Sequence, residues 1–320
     1  MTKQRVERYA RPVDVVSFRT FNNREGFMSA EQHIWINGRV MRMSEATIGV
    51  EDRGFQFADG VYEVFRVYEG KPFALELHLQ RLRRSCDAID LPLPYTNAQL
   101  IDAMACLYER QPLPSAMIYL QATRGECNRN HVMPRECEPT VLFYARPLPA
   151  LVVPENAPGV RVISVDDDRW KRCWIKSIAL LPNVLAKTAA DRAGADEAIF
   201  VDNGLAVEGA SSNLFVIRRG VIITAPPGPK VLPGITRHIL LEIAERMKVP
   251  VEHRAATIAE AESADEAFIA STTRELAWIR SWNGRPIGDG KLGDLTLRLH
   301  HAFRAQVESP GDGACGPGVR

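Results

Sequence analysis

Four prolines fall between Pro147 and Pro158, in the run P-L-P-A-L-V-V-P-E-N-A-P. Each fixes φ and removes a backbone donor, which disfavours regular structure and marks a linker between two folding units. The expected organisation is an N-terminal extension over 1–30, a smaller α/β domain over 31–148 and a linker over 149–158. A larger α/β domain over 159–308 and a disordered, Gly- and Pro-rich tail over 309–320 complete it. At 320 residues and 46% hydrophobic content, the chain has apolar material for two moderate cores.

Hydrophobic periodicity assigns the elements. In the first unit, I-W-I-N-G-R-V and D-G-V-Y-E-V-F-R-V-Y-E-G-K read as short strands, and alternation ending at Gly70 predicts a hairpin. His78, Leu79, Leu82, Cys86 and Ile89 recur at helical spacing with Pro92 closing the segment, and a second helix is expected over 97–108. Strands M-I-Y-L-Q-A-T and T-V-L-F-Y-A follow, separated by a polar loop. The second unit reads as strand (160–165), a lysine-bearing stretch, helix (183–193), strand (197–201) and hairpin (214–224). Helix (236–247), strand (267–271) and a last helix (295–307) follow.

A formal net charge of +1 leaves no field of one sign to draw nucleic acid or an anionic membrane, so the expected partner is a small molecule. Cys86, Cys106, Cys127, Cys137, Cys173 and Cys315 show neither C-x-x-C spacing nor a small-scaffold framework. Neither a metal site nor a disulfide is expected from them, and a reducing cytoplasm fits. No apolar run reaches the roughly 18 residues that cross a bilayer. Arg5, Arg8, Arg11, Arg19 and Arg24 are interrupted by Glu7, Asp14 and Glu25, so the extension reads as an arm rather than a transit peptide.

Five features can carry chemistry, each with a plainer reading. Lys176 lies in the mostly apolar run C-W-I-K-S-I-A-L-L-P, where desolvation favours a free, nucleophilic amine; a snorkelling lysine at a strand end is the alternative. Glu208, in A-V-E-G-A-S-S-N, can hold a pyridine nitrogen protonated or can face water from a turn whose backbone Ser211, Ser212 and Asn213 satisfy. G-I-T-R from Gly234 opens an amphipathic helix whose N–H groups and Thr236 hydroxyl can face phosphate, or Thr236 is an ordinary N-cap. S-T-T from Ser271 ends the strand A-F-I-A and offers hydroxyls and amides to the same cup. In T-R-G-E-C-N-R-N-H, Arg129 and His131 can grip a carboxylate together, or are simply exposed loop charges.

In order along the chain stand E-D-R-G-F-Q-F-A-D-G-V-Y-E-V from Glu51, H-L-Q-R-L from His78, the R-x-H loop and D-D-R-W-K-R-C-W-I-K-S from Asp167. V-E-G-A-S-S-N-L-F from Val207, L-P-G-I-T-R from Leu232 and S-T-T-R-E from Ser271 follow. Together they resemble the class IV pyridoxal-phosphate aminotransferases, and within them the D-amino-acid aminotransferases most closely. The likeness is collinear from about Trp35 to Ala305. It implies the fold type IV α/β (α+β) architecture, a small N-terminal and a large C-terminal domain with the active site between them. It also implies pyridoxal 5'-phosphate as cofactor and a homodimer in which the partner subunit's Arg129 and His131 complete each site.

On this resemblance Lys176 matches the Schiff-base lysine, Glu208 the partner of the pyridine nitrogen and Arg81 the cationic phosphate ligand. Ile235, Thr236 and Thr272 match further phosphate contacts, with Ser211, Ser212 and Ser271 beside the cofactor. Leu232 matches the residue packed on the ring, and Tyr62 a hydroxyl near the substrate carboxylate. The implied reaction is ping-pong amino transfer from a D-amino acid to 2-oxoglutarate or pyruvate. Branched-chain L-amino-acid aminotransferases, aminodeoxychorismate lyases and (R)-selective amine transaminases are the competing readings, and the R-x-H loop argues for D-amino acids. Ala210 departs from the serine frequent in close relatives, Glu126 to Asn128 are this chain's own, and residues 1–30 have no counterpart in compact members.

Overall fold

The computed structural model describes residues 32–149 and 152–308; the expected extension and tail, and part of the linker, lie outside the described residues. The first unit is a six-stranded antiparallel sheet. Its order is Arg39–Arg42, His33–Ile36, Thr140–Pro147, Ser115–Thr123, Gly60–Tyr68, Lys71–Pro72. Alternation sorts its faces: Ile118, Leu120, Val141 and Phe143 point into a core shared with the helices Leu75–Asp87 and Asn97–Arg110. Tyr62, Tyr119 and Tyr144 take the other face and stack in a row at 5.6 and 5.3 Å. The second helix begins with a capping box, in which the Thr96 side chain accepts from Gln99 N and the Gln99 side chain accepts from Thr96 N.

The second unit is a ten-stranded mixed sheet in which Asn213–Arg218, Glu266–Ser271, Glu275–Trp282, Val160–Asp166, Glu197–Asp202 and Leu205–Gly209 are adjacent in that order. Helices Ile235–Arg246 and Asp294–Glu308 cover one face through Ile239, Leu240, Ile243, Leu299 and Phe303. Helix Leu181–Arg192 packs through Ala186 and Ala190 on Ala198 and Phe200. It starts at Leu181 rather than Asn183 because Pro182 sits in its first turn, where no N–H is needed.

Backbone bonds lock the two units together. The open edge of Gly60–Tyr68 pairs with the lysine-bearing stretch: Tyr62 N donates to Lys176 O at 2.9 Å, and Ile178 N to Gly60 O at 3.1 Å. Ile175 enters the first unit's core. At the far end of the same strand, buried Arg66 donates to Thr273 O at 2.5 Å and Tyr68 OH to Glu275 Oε1 at 2.6 Å. Glu275 also accepts from Arg304 and lies 3.0 Å from His300 Nε2. Burial opposes its charge, but the His300 and Tyr68 hydrogen bonds keep its carboxyl below the ordinary range.

The cysteines correct one expectation. Cys127 and Cys137 form a disulfide with Cα atoms 6.5 Å apart, and Cys86 and Cys173 are free and buried while Cys106 is free and exposed. The hairpin register explains the pairing: Thr123 opposes Thr140, so residues a few steps beyond each face one another across the loop neck. A spacing of ten residues in sequence does not reveal that. Closing so short a ring stabilises the fold by about 3 kcal/mol on the chain-entropy account.

Below the bond the neck is narrow. Gly125 has φ +90°, and a Cβ there would lie 1.8 Å from the Glu138 carbonyl oxygen. Gly125→Ala is expected to lower the unfolding free energy by about 2–4 kcal/mol. Urea titration checks this, and wild-type stability would show that the neck opens freely.

Candidate active site

A cavity of about 820 Å³ lies between the two sheets. Every cofactor-binding candidate borders it: Arg81, Lys176, Glu208, Ser211, Ser212, Leu232, Ile235, Thr236, Ser271 and Thr272, together with Tyr62.

Lys176 owes its place to its neighbours. Ile175 is anchored in the first core, Lys176 N donates to Ser85 Oγ at 3.1 Å, and Lys176 O takes the Tyr62 amide. The side chain is thereby turned into the cavity, with Nζ 4.3 Å from the Tyr62 ring centroid.

Glu208 lies on the strand Leu205–Gly209 and is buried, not in a wet turn. Its Oε1 accepts from Arg169 at 2.5 Å, and its Oε2 from Leu232 N at 3.1 Å and Asn213 Nδ2 at 3.2 Å. Burial pushes its carboxyl up to about 7, and the Arg169 guanidinium pulls the other way. Asn213 also donates to Leu232 O, and a Cβ at Gly234 would lie 1.9 Å from Asn213 Oδ1. Only glycine permits that approach, which fixes the turn before the helix relative to Glu208.

That turn leads into the anion cup. Gly234, not Thr236, is the N-cap of Ile235–Arg246, and no side chain caps it. The first N–H groups of a helix have no intrahelical partner, so those of Ile235 and Thr236 are available to a guest in the cavity. Arg81 adds a guanidinium oriented by Glu63, which accepts from it at 2.6 and 2.9 Å, while Arg81 Nη1 donates to Pro233 O at 3.0 Å. Burial opposes the Glu63 charge, but Arg81 and His78 hold its carboxyl well below the usual range. Burial drives His78 the other way, toward its neutral form. An amine, a buried carboxylate and an anion cup in one cavity fit a phosphorylated pyridine aldehyde.

Arg129 and His131 are not brought in. Among the described residues they stand outside the cavity lining, exposed on the Cys127–Cys137 loop, with Arg129 4.6 Å and His131 5.4 Å from the Phe57 ring.

Sequence reasoning missed the residues that orient these groups. Arg169 is sandwiched between Asp167, Glu208 and the Phe200 ring, 4.0 Å away. Glu197, fully buried, accepts from Ser211 at 2.6 Å and Ser212 at 3.4 Å. In sequence, D-D-R reads as solvated charge and a glutamate opening a strand as an edge residue. Only tertiary burial marks them.

Comparison with known proteins gives the same class of enzyme. The sequence profile of the family Amino-transferase class IV matches residues 60–282. D-Alanine aminotransferase of Staphylococcus aureus (strain N315) is 40% identical over 283 residues, covering 87% of this chain and 99% of its own. That of Bacillus licheniformis is 40% identical over 276 residues, covering 86% and 97%. Among solved structures, a branched-chain amino acid aminotransferase of Escherichia coli superposes with a TM-score of 0.80 at 27% identity, covering 86% of this chain and 94% of its own. A branched-chain amino acid aminotransferase of Thermobaculum terrenum in its PLP-bound holo form does so with a TM-score of 0.76 at 26% identity, covering 87% and 94%. The fold and site define a pyridoxal 5'-phosphate enzyme that transfers amino groups. The chain belongs to the class IV aminotransferases.

The raised Glu208 carboxyl has a consequence for stability. Because its folded pKa is about 7 against an ordinary 4.5, the cofactor-free fold holds a proton that the unfolded chain releases. Stability should therefore fall as pH rises between those values, by up to about 3 kcal/mol. Urea unfolding of cofactor-free wild type and Glu208→Gln at pH 5 and pH 8 tests this. A stability gap between the two proteins that does not move with pH would contradict it.

Proposed function

We propose that this chain is a D-amino-acid transaminase, which moves the amino group of a D-amino acid to a 2-oxo acid such as 2-oxoglutarate or pyruvate. In this reading it works in the cytoplasm as a homodimer, with the partner subunit's Arg129 and His131 closing each cavity over the substrate carboxylate. What supports the homodimer is the place of that pair: both side chains stand outside their own chain's cavity, on an exposed loop. Val50, Phe55 and Val132 on and beside that loop are 76%, 77% and 73% exposed, an apolar surface suited to burial against a second copy. The 40% identity to D-alanine aminotransferases over nearly their whole length supports the D side, whereas these branched-chain structures stand at 27% and 26%.

Each residue has a task in this reading. Arg81, the uncapped amides of Ile235 and Thr236, and the Thr236, Ser271 and Thr272 hydroxyls would hold the phosphate. Leu232 would pack on the ring, and Glu208, which accepts from Leu232 N, would pair with the ring nitrogen. Ser211 and Ser212 keep the edge of the site through Glu197. When bound, the cofactor supplies an electron sink for the α-carbon. Lys176 Nζ is the amine that would hold the cofactor, and as a free amine it would take the α-proton as general base and then hand it on as general acid. Tyr62 stands beside that amine.

Stereochemistry follows from where the carboxylate is held. With the α-hydrogen facing Lys176, only one enantiomer also reaches the clamp, and each charge-assisted bond contributes roughly 1.5–3 kcal/mol. Losing both costs the other enantiomer roughly 3–6 kcal/mol, about two to four decades in rate.

Oxo-acid-dependent transamination of matched D- and L-alanine, glutamate and leucine is the deciding assay. Turnover of the D series is expected; turnover confined to L-leucine and L-glutamate would make this a branched-chain enzyme. Lys176→Ala should abolish transamination and leave noncovalent cofactor binding in place, which absorbance of the dialysed protein reads. Arg129→Ala should raise KM for D-alanine by at least about tenfold with kcat much less affected, and an unchanged KM would remove the clamp.

A further inference from the structure

Cys127 and Cys137 have no part in the chemistry above, yet they stand at the two ends of the segment that carries Arg129 and His131. The strand ladder below them ends at Thr123 and Thr140, and the neck is tightened where Gly125 packs on the Glu138 carbonyl. Beyond the sulfur bridge the tip is held by weaker means. Arg53 Nη1 donates to Asn130 O at 2.5 Å, Val132 N to Asn130 Oδ1 at 3.0 Å, and the Phe57 ring lies under Arg129 and His131. Both clamp residues are exposed, so water competes for their contacts with the Phe57 ring, and among the described residues buried Arg53 alone anchors the tip backbone.

We infer that the Cys127–Cys137 disulfide is a reducible brace that positions Arg129 and His131 for the substrate carboxylate, so that substrate affinity follows the thiol–disulfide state of this loop. The inference rests on the reading of those two residues as the clamp. With the bridge closed, the tip has few conformations to lose when a carboxylate arrives; with it open, binding must order the tip first. The bridge lies at the neck of the loop, away from the tip proposed to meet the second copy. Cys127 and Cys137 are half-buried in an exposed loop, whereas free Cys86 and Cys173 are buried. In a cytoplasm that keeps thiols reduced, a surface disulfide of this kind is a regulatory rather than a permanent element.

Opening the bridge is a two-electron reduction. A dithiol reductant attacks one sulfur, the Sγ–Sγ bond breaks, and both cysteines end as thiols while the reductant becomes its own disulfide. The loop thus reports the state of a cellular dithiol without any change at Lys176 or Glu208.

The test uses full-length holoenzyme, oxidised or treated with dithiothreitol, with the bridge scored by the mass of the peptide spanning 127–137. KM and kcat for D-alanine are then compared. KM is expected to rise about fivefold or more on reduction with kcat changed less than about twofold, since a loosened clamp weakens ground state and transition state alike. Cofactor absorbance should not change. The Cys127→Ser/Cys137→Ser double variant should match the reduced enzyme under either treatment.

An unchanged KM on confirmed reduction would overturn the brace, as would a redox response that persists in the double variant. If the enzyme turns over only L-amino acids, the D-amino-acid reading falls separately. The same comparison made with its L-substrate then decides the brace, a redox-dependent KM supporting it and an invariant one rejecting it.

Discussion

The active site depends on a short run of main-chain bonding between two parts of the chain more than a hundred residues apart. The strand Gly60–Tyr68 is paired along its length with Ser115–Thr123, but on its other side the hairpin partner Lys71–Pro72 covers only its last residues. The first residues therefore present an open edge, which the stretch around Lys176 fills. An open edge in a buried place must find partners for its N–H and C=O groups. Here those partners deliver the Lys176 amine to the seam between the sheets, beside Tyr62, and Ile175 holds it there like a peg in the first core.

Around that seam the charged groups are arranged in buried pairs, each with a second donor that fixes its geometry. Glu63 orients Arg81 at the end of the cavity by the uncapped helix, and Arg169 holds Glu208 at the other. Unpaired, any of these charges would be costly at such burial. Paired, they behave differently: Glu63 is held firmly ionised, whereas burial outweighs the arginine at Glu208 and leaves its carboxyl near neutrality. One end of the cavity thus has a fixed charge set, and the other a carboxyl poised between its charged and neutral forms.

Much of the fold was legible in the sequence. The strands Ser115–Thr123 and Thr140–Pro147 alternate cleanly because one face is buried, and the helix expected over 97–108 is present and runs two residues further, to Arg110. Leu205–Gly209 and Glu275–Trp282 were not foreseen, because both hold buried glutamates and show no clean alternation. The cavity-lining residues were named by motif, and their convergence required the fold. What the sequence hid was support: Arg169, Glu63 and Glu197 look like surface charges until burial is known. The disulfide was hidden for the same reason, since cross-strand register and not spacing brings Cys127 to Cys137.

The contacts of Arg66 and Tyr68 bear on how molecules enter and leave. Both reach across the seam to the S-T-T-R-E turn, one to the Thr273 carbonyl and one to the Glu275 carboxylate, which His300 and Arg304 tie to the last helix. The seam is thus bolted at both ends of a single strand, by the Lys176 stretch at one and by this turn at the other. Two plates fastened at both ends of their shared edge resist swinging apart like a clamshell. Hinged opening of this cavity would have to break one of these two fastenings, whereas movement of side chains and loops at its mouth breaks neither.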